Sequence, residues 1–357
     1  MKISLGQGLR ELPGPLLLTG HTGFKGTWMT LLLERLGVSV IGYSLHPEKN
    51  SLFNQANRIG LVKEKFADIR NYEELETFID LHRPTTIIHM AAQPLVLKSY
   101  ENPRETFDVN VMGTVNVLDV AFKKDFVKAI VVVTTDKVYR NDNSEHFFIE
   151  SDPLEGKDPY SASKVGAESV VTAWQQISRI SGGPKVVSVR AGNVIGGGDL
   201  ATSRLLPDIV RHLFFEGELQ VRNLQATRPW QHVLDPLSGY LRCLEYVLQN
   251  QDIPAINFSG LNEKPLKVSE VLSLSSKCAS HFNLRRLSPQ TLNMGNPMES
   301  ENLSLDSNLA QELLGFRNIW TQEEAIFSTL EWWYKIRSKE VSVLDACRSD
   351  IVKVIGE

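Results

Sequence analysis

Cysteine is scarce in this chain: 357 residues carry three, Cys243, Cys278 and Cys347, far apart in sequence. An odd, scattered set argues against a disulfide framework and lacks the paired spacing of a zinc site. No metal is expected, and reduced thiols in a cytoplasmic protein are. Long apolar runs are missing too. Nothing approaches the roughly 18 residues of a spanning helix, and Leu16-Leu17-Leu18 is too short for the core of a secretion signal. No membrane partner is therefore expected. Neither sign of charge is in excess, since 38 Lys+Arg against 42 Asp+Glu leave −4. Such a chain has no bulk attraction for a phosphate backbone, so nucleic acid is not an expected partner. A few placed arginines still suffice to hold one small anion.

What is present is an ordinary globular composition, 42% hydrophobic and 22% charged, long enough for roughly two domains. Short apolar runs alternate with helical patterns. Strands are expected over 15–19, 38–43, 86–90, 129–134 and 185–190. Helices are expected over 26–36, 72–81, 106–122 and 160–180, and the stretch 45–57 reads as loop. Apolar runs that do not alternate are buried on both faces, as in a parallel sheet covered by helices. This rhythm predicts an α/β fold of Rossmann type, a doubly wound parallel sheet. After Arg190 the rhythm breaks at Gly196-Gly197-Gly198. Helices are then expected over 205–215, 236–248, 268–278 and 309–314, with a short strand over 256–259. The expected division is a dinucleotide-binding domain over 1–190, taking back part of 234–260, and a smaller mixed C-terminal substrate domain over 191–357.

Three strings carry chemistry. Gly20, Gly23 and Gly26 sit between the first strand and first helix, with Thr22 and Phe24 among them. Glycines there tighten the turn and let backbone approach a pyrophosphate at a helix N-terminus. At the end of the second strand, Gly42-Tyr43-Ser44-Leu45 has no carboxylate for a ribose and no arginine for a 2′-phosphate, so NAD is the favoured cofactor. Ser44 offers a weaker ribose bond, or is simply a turn serine. Asp68 and Ile69 follow the third strand and could face an adenine, or Asp68 could cap the helix at 72.

Tyr160 and Lys164, four apart, share one helix face. A tyrosine near 10 is a poor base at neutral pH, and an ammonium one turn away should lower it. Thr135, Asp136 and Lys137 close a buried strand at the sheet's carboxyl edge, where open α/β sheets place ligands. Side chains alternate along a strand, so Thr135 and Lys137 share a face if the extended geometry continues. Asn110, polar inside a helix that faces the sheet, needs partners near the cofactor.

Together with Ala91-Ala92-Gln93, these strings resemble the extended short-chain dehydrogenase/reductase family, over about residues 15 to 335. Met90 to Val96, Val189 to Asp199 and Arg228 to Val233 are most similar to the nucleotide-sugar 4,6-dehydratases, in particular those acting on CDP-D-glucose. Asp136-Lys137 stands where the dTDP-glucose relatives carry Asp-Glu. The resemblance implies NAD held by Gly20, Thr22, Gly23, Phe24, Gly26, Ser44, Asp68, Ile69, Ala91, Ala92, Gln93, Asn110, Tyr160 and Lys164. It implies that Tyr160 takes the 4-hydroxyl proton, Lys164 tunes Tyr160, and Thr135 bonds the same hydroxyl. Asp136 then protonates the departing 6-hydroxyl, and Lys137 acts at carbon 5, as base or as cationic stabiliser of the enolate. Asn193, Arg204 and Arg228 would hold the nucleotide sugar, Arg228 offering a planar fork to a diphosphate. Trp230 and His232 are expected to pack beneath the site. Family members pair the helices over 106–122 and 160–180 into a four-helix bundle, which implies a homodimer. A 4-epimerase of the same fold needs only the Tyr/Lys pair.

Overall fold

The computed structural model describes residues 5–249, 251–260, 264–291 and 302–356. Seven parallel strands form its centre: β1 (Leu16–Thr19), β2 (Val40–Ser44), β3 (Lys63–Phe66), β4 (Thr86–His89), β5 (Ala129–Val133), β6 (Lys185–Ala191) and β7 (Ala255–Phe258). Their spatial order is β7-β6-β5-β4-β1-β2-β3. Connections run outward in both directions from β1 and β4, which leaves a crevice at the carboxyl ends of those two strands. Every residue of β1, β4 and β5 is buried. Leu16 and Leu18 enter the core on one face of the sheet and Leu17 the core on the other. Full burial of each leucine stabilises by about 1.5–3 kcal/mol. β3 is a polar edge strand, with Lys63 and Lys65 exposed and Glu64 and Phe66 half-buried.

Local sequence explains where the flanking helices begin. Gly23 starts the helix Phe24–Arg35 without a side-chain cap, leaving its first N–H groups open. The helix Pro159–Ser181 has Pro159 at its first position and a reciprocal cap between Asp158 and Ser161. Helical structure begins at Pro103, ahead of the expected 106, and it is not a continuous α-helix. Pro103–Phe107 and Gly113–Phe122 flank a π turn, Asp108–Met112, with Asn110 buried at its centre. Such a turn re-aims a side chain at the cost of helical regularity. The stretch 45–57 holds a short helix, Leu52–Gln55, capped by Ser51.

Beyond β6 the sheet gives way to short strand pairs. Asn193–Ile195 lies parallel to Trp230–His232, and Thr227–Arg228 antiparallel to Leu266–Lys267. Helices Leu205–Phe215, Leu234–Leu248, Val268–His281 and Asn308–Leu314 fall where expected, the last closed by Gly315 at φ 60°. Two helices lie beyond the expected elements, Gln322–Arg337 and Val343–Ile355. The second of them packs back against Phe24–Arg35. No described helix is long and apolar enough to cross a membrane.

Candidate active site

The glycine loop occupies the crevice. Gly20 has φ 73°, and a Cβ there would stand 2.8 Å from the Ala91 nitrogen. A Cβ on Gly26 would stand 2.1 Å from the Gly20 carbonyl oxygen. Neither position admits a side chain, so the loop stays thin and the open N–H groups after Gly23 face outward for an anion. Phe24 closes one side, its ring tip 3.4 Å from the Cβ position of Gly196. This cradle fits a dinucleotide pyrophosphate.

The neighbouring loop is held by a buried polar chain. Thr19 Oγ1 bonds His89 Nδ1 at 2.7 Å and accepts the Met90 and Ala91 N–H groups, both at 3.1 Å. His89 Nε2 meets Thr114 Oγ1 at 3.2 Å. Burial pulls that imidazole down to about 3, so it stays neutral. Asn110 accepts the Gln93 N–H at 2.8 Å and donates to the Gln93 carbonyl and to Ser163 Oγ. It therefore clamps the loop to the Tyr160 helix, the partnership its sequence position required. The Gln93 side chain is turned inward, bonding Thr106 Oγ1 and both polar groups of Leu95.

Thr135, Asp136 and Tyr160 meet at the carboxyl end of β5. Thr135 Oγ1 donates to Asp136 Oδ1 at 2.9 Å, and it lies close enough to the Tyr160 phenol to favour its ionised form. Asp136 is buried, and its Oδ2 has no hydrogen-bond partner among the described residues. Burial raises its pKa against the opposing charges of Lys137, Arg228 and Lys25. Burial also pushes Tyr160 up to about 12, against the Thr135 hydroxyl and the charge of Arg204. The expected lowering of Tyr160 by Lys164 is not what the structure shows. Lys164 Nζ instead donates to the Val133 carbonyl at 2.9 Å, and burial pulls it down to about 8. Beneath it, the Glu168 carboxylate that supports its charge is gripped by Arg190 through two bonds of 2.8 Å.

The expected shared face of Thr135 and Lys137 is also overturned. The strand ends at Val133, and Asp136–Val138 forms a 3₁₀ turn capped by Thr135, which accepts the Lys137 N–H at 3.4 Å. Strand alternation does not run through a 3₁₀ turn. Lys137 is half-buried, and its charge still reaches Asp136.

Cations gather opposite. Arg228 is buried and donates to the Thr227 carbonyl at 2.7 Å, with its charge acting on Asp136. Arg204 starts the helix Leu205–Phe215, stands 3.8 Å from Asp199, and acts on Tyr160. Asn193 opens the strand beside Trp230 and is half-buried. His232 stacks on Trp320 with ring centres 4.1 Å apart, and burial pulls it down to about 3. It also meets the Trp28 ring edge-on, and both it and Trp230 are buried.

Ser44 and Asp68 lie at the other end of the crevice. Thr22 Oγ1 donates to the Leu45 carbonyl at 3.0 Å and so accepts from Ser44 Oγ at 2.8 Å. Asp68 pairs with Arg70, and the helix cap considered for it is supplied by Asn71. Ile69 is buried against Gly113. The carboxylate absent from the end of β2 has a neighbour on β3, since Glu64 bonds His21 of the glycine loop at 3.0 Å. Lys25 and Tyr240 lie within electrostatic reach of Asp136, and Asp199 within reach of Lys25. Lys25 and Asp199 lie within strings the sequence singled out, whereas Tyr240 has no signal beyond an amphipathic helix.

The sequence profile of the NAD dependent epimerase/dehydratase family matches residues 16–257. A CDP-glucose 4,6-dehydratase of Salmonella typhimurium is 38% identical over 88% of this chain and 89% of its own length. A UDP-glucose 4-epimerase of Halalkalibacterium halodurans is 26% identical over 90% of this chain and 95% of its own. Among solved structures, a dTDP-glucose 4,6-dehydratase of Bacillus anthracis in complex with NAD superposes with a TM-score of 0.75. It is 21% identical, over 93% of this chain and 99% of that one.

Proposed function

The chain belongs to the NAD dependent epimerase/dehydratase family, with NAD as its cofactor, and from this and the pocket we propose a CDP-D-glucose 4,6-dehydratase. The reaction is that of a hydro-lyase, yielding CDP-4-keto-6-deoxy-D-glucose. One observation supports the dehydratase over the epimerase: a buried carboxyl, Asp136, whose pKa burial raises and which accepts a hydrogen bond from Thr135. An epimerase has no use for an acid there.

NAD, when bound, would supply the chemistry of a reversible hydride acceptor. The glycine loop holds its pyrophosphate, Thr22, Ser44, Asp68 and Ile69 its adenosine end, and the Ala91-Ala92 loop and Lys164 its other end. Tyr160 removes the 4-hydroxyl proton, and Thr135 orients that hydroxyl. Loss of the hydroxyl proton and hydride leaves a 4-ketone, which acidifies carbon 5. Lys137 acts on carbon 5, while Asp136 delivers its proton to the departing 6-hydroxyl. Arg228, Arg204 and Asn193 hold the nucleoside diphosphate, which suits buried guanidinium groups.

In this reading residues 1–190, with β7 and the helix before it, hold NAD, and the rest of 191–357 shapes the sugar pocket. A homodimer forms through the helices 103–122 and 159–181, where Phe107, Met112, Ile177 and Ile180 are exposed. The test is a panel of CDP-, UDP-, dTDP- and GDP-glucose with NAD added. Conversion of CDP-glucose to a 6-deoxy-4-ketone is expected. A product inverted at carbon 4 with its 6-hydroxyl intact establishes the epimerase instead.

A further inference from the structure

Between Lys137 and Tyr160 the chain makes an excursion that takes no part in the proposed reaction. It leaves at Tyr139 and returns at Leu154, two residues joined by an antiparallel bridge, and the Arg140 N–H donates to the Pro153 carbonyl at 2.8 Å. Within it, Phe147–Phe148 pairs in parallel with Ser304–Leu305 from the C-terminal part of the chain. Asn302 stands just ahead of that second strand, half-buried, and bonds in two directions. Toward the excursion, its Nδ2 donates to the Asn143 carbonyl at 2.9 Å, and its own carbonyl accepts Asn141 Nδ2 at 2.6 Å. Toward the pocket, its Oδ1 accepts the Thr227 hydroxyl at 3.0 Å. Thr227 immediately precedes Arg228, and its carbonyl accepts the Arg228 guanidinium at 2.7 Å.

We propose that Asn302 is a positioning residue for the nucleoside diphosphate, tying the Thr227–Arg228 strand to the loop that joins Lys137 to Tyr160. Arg228 is thereby held in register with the groups that act on the sugar. The proposal rests on the reading of Arg228 as a nucleoside diphosphate ligand.

The two sides of Asn302 are unequally anchored. Thr227–Arg228 is two residues long and, among the described residues, belongs to a two-stranded sheet apart from the seven-stranded one. A lone strand pair is marginal by itself, so a side-chain bond from a third segment counts for its position. The excursion is better held. Tyr139, Phe148, Leu303 and Leu305 are buried in one cluster, and Lys157 Nζ bonds the Asn141 carbonyl just before the cap of the Tyr160 helix. Asn302 therefore fastens a weakly held strand to a packed one. An arginine already in place for a diphosphate loses less freedom when the ligand binds, and affinity gains accordingly. Neither Thr227 nor Asn302 has an ionisable side chain, so the effect falls on binding and not on proton transfer.

The test uses the full, NAD-loaded chain. Thr227→Val removes the hydroxyl and keeps the shape, whereas Asn302→Ala removes both side-chain bonds. In each, KM for CDP-glucose should rise about 3–10-fold with kcat within about twofold, the pattern of lost ground-state binding through neutral hydrogen bonds. Calorimetric titration with CDP should weaken by the same factor while NAD affinity holds. The double variant should match Asn302→Ala, because both changes cut one link. Thr227→Ser keeps the hydroxyl and should restore the original KM. Unchanged CDP affinity in both single variants overturns the proposal, even where the thermal midpoint or kcat falls, and so does a multiplied loss in the double variant. If the variants bind CDP less well while the unmodified chain converts no CDP-glucose, the positioning role stands and the dehydratase reading falls. An unmodified chain that binds none of CDP, UDP, dTDP and GDP overturns the reading of Arg228 and this proposal with it.

Discussion

Thr135 donates its hydroxyl hydrogen to Asp136 Oδ1 at 2.9 Å and accepts the Lys137 N–H at 3.4 Å, at the turn that follows β5. In the proposed mechanism the residue that orients the 4-hydroxyl thus also holds the dehydration acid. Burial raises the pKa of both Asp136 and Tyr160, the latter to about 12.

Tyr160→Phe deletes the hydroxyl that receives the 4-hydroxyl proton while keeping the ring. Turnover should fall by about 10²–10⁴-fold, the usual cost of losing a general base. The thermal midpoint should stay close to that of the unmodified chain. Near-normal turnover would make Tyr160 structural.

Asp136→Asn keeps the shape and the Thr135 contact but cannot give up an acidic proton. Formation of the 6-deoxy ketone should fall by about 10²–10⁴-fold. Oxidation at carbon 4 should survive, read as reduced-nicotinamide absorbance in a single turnover. Loss of both steps together would remove Asp136 from the elimination.

Gly26→Ala places a methyl 2.1 Å from the Gly20 carbonyl oxygen and 2.6 Å from His21 Cα. Those are backbone atoms, so the loop itself must move. Overpacking of this kind costs about 1–3 kcal/mol, and titration should show NAD affinity weakened or lost.

Local strings made much of this site legible in sequence. The glycine loop and the Thr135–Lys137 string are contiguous and directly follow β1 and β5, and the Tyr160/Lys164 pair lies within the first two turns of one helix. What stayed hidden depends on tertiary placement. Lys25 and Tyr240 meet only because the helix Leu234–Leu248 returns beneath the first one. The rise of Tyr160 was missed because spacing along a helix reports a neighbouring charge but not depth of burial. The π turn at Asn110 and the 3₁₀ turn after Thr135 break the very periods from which a sequence is read.

Stability should decline in mild acid. His89 and His232 are held down to about 3 by burial, against about 6.5 in an unfolded chain. The unfolded chain then binds more protons below 6.5. Their contribution is fully present above that pH and is lost as pH falls from 6.5 toward 3. Each histidine contributes on the order of 1.4 kcal/mol per pH unit in that window. His232→Phe keeps a ring against Trp320, and the urea midpoint should fall less steeply between pH 6.5 and 5 than in the unmodified chain. Equal slopes would show that His232 is not held neutral.

Lys137 should act after oxidation. Thr135 and Tyr160 already serve the 4-hydroxyl, so a third group there is redundant. The 3₁₀ turn carries Lys137 off the strand's alternation, yet its charge remains the largest acting against the burial of Asp136. A cation beside the acid and a group acting at carbon 5 belong to the same elimination. As a base, Lys137 must spend time neutral, whereas as a cation it stabilises the enolate. Both roles place its effect at one step. Lys137→Met should therefore oxidise carbon 4 and accumulate reduced-nicotinamide absorbance in single turnover, while the 6-hydroxyl stays in place. Solvent deuterium at carbon 5 separates the roles. A lost base abolishes exchange, whereas a lost cation slows it in step with product formation. A variant that accumulates no such absorbance, or makes the 6-deoxy ketone at the unmodified rate, would remove Lys137 from the elimination.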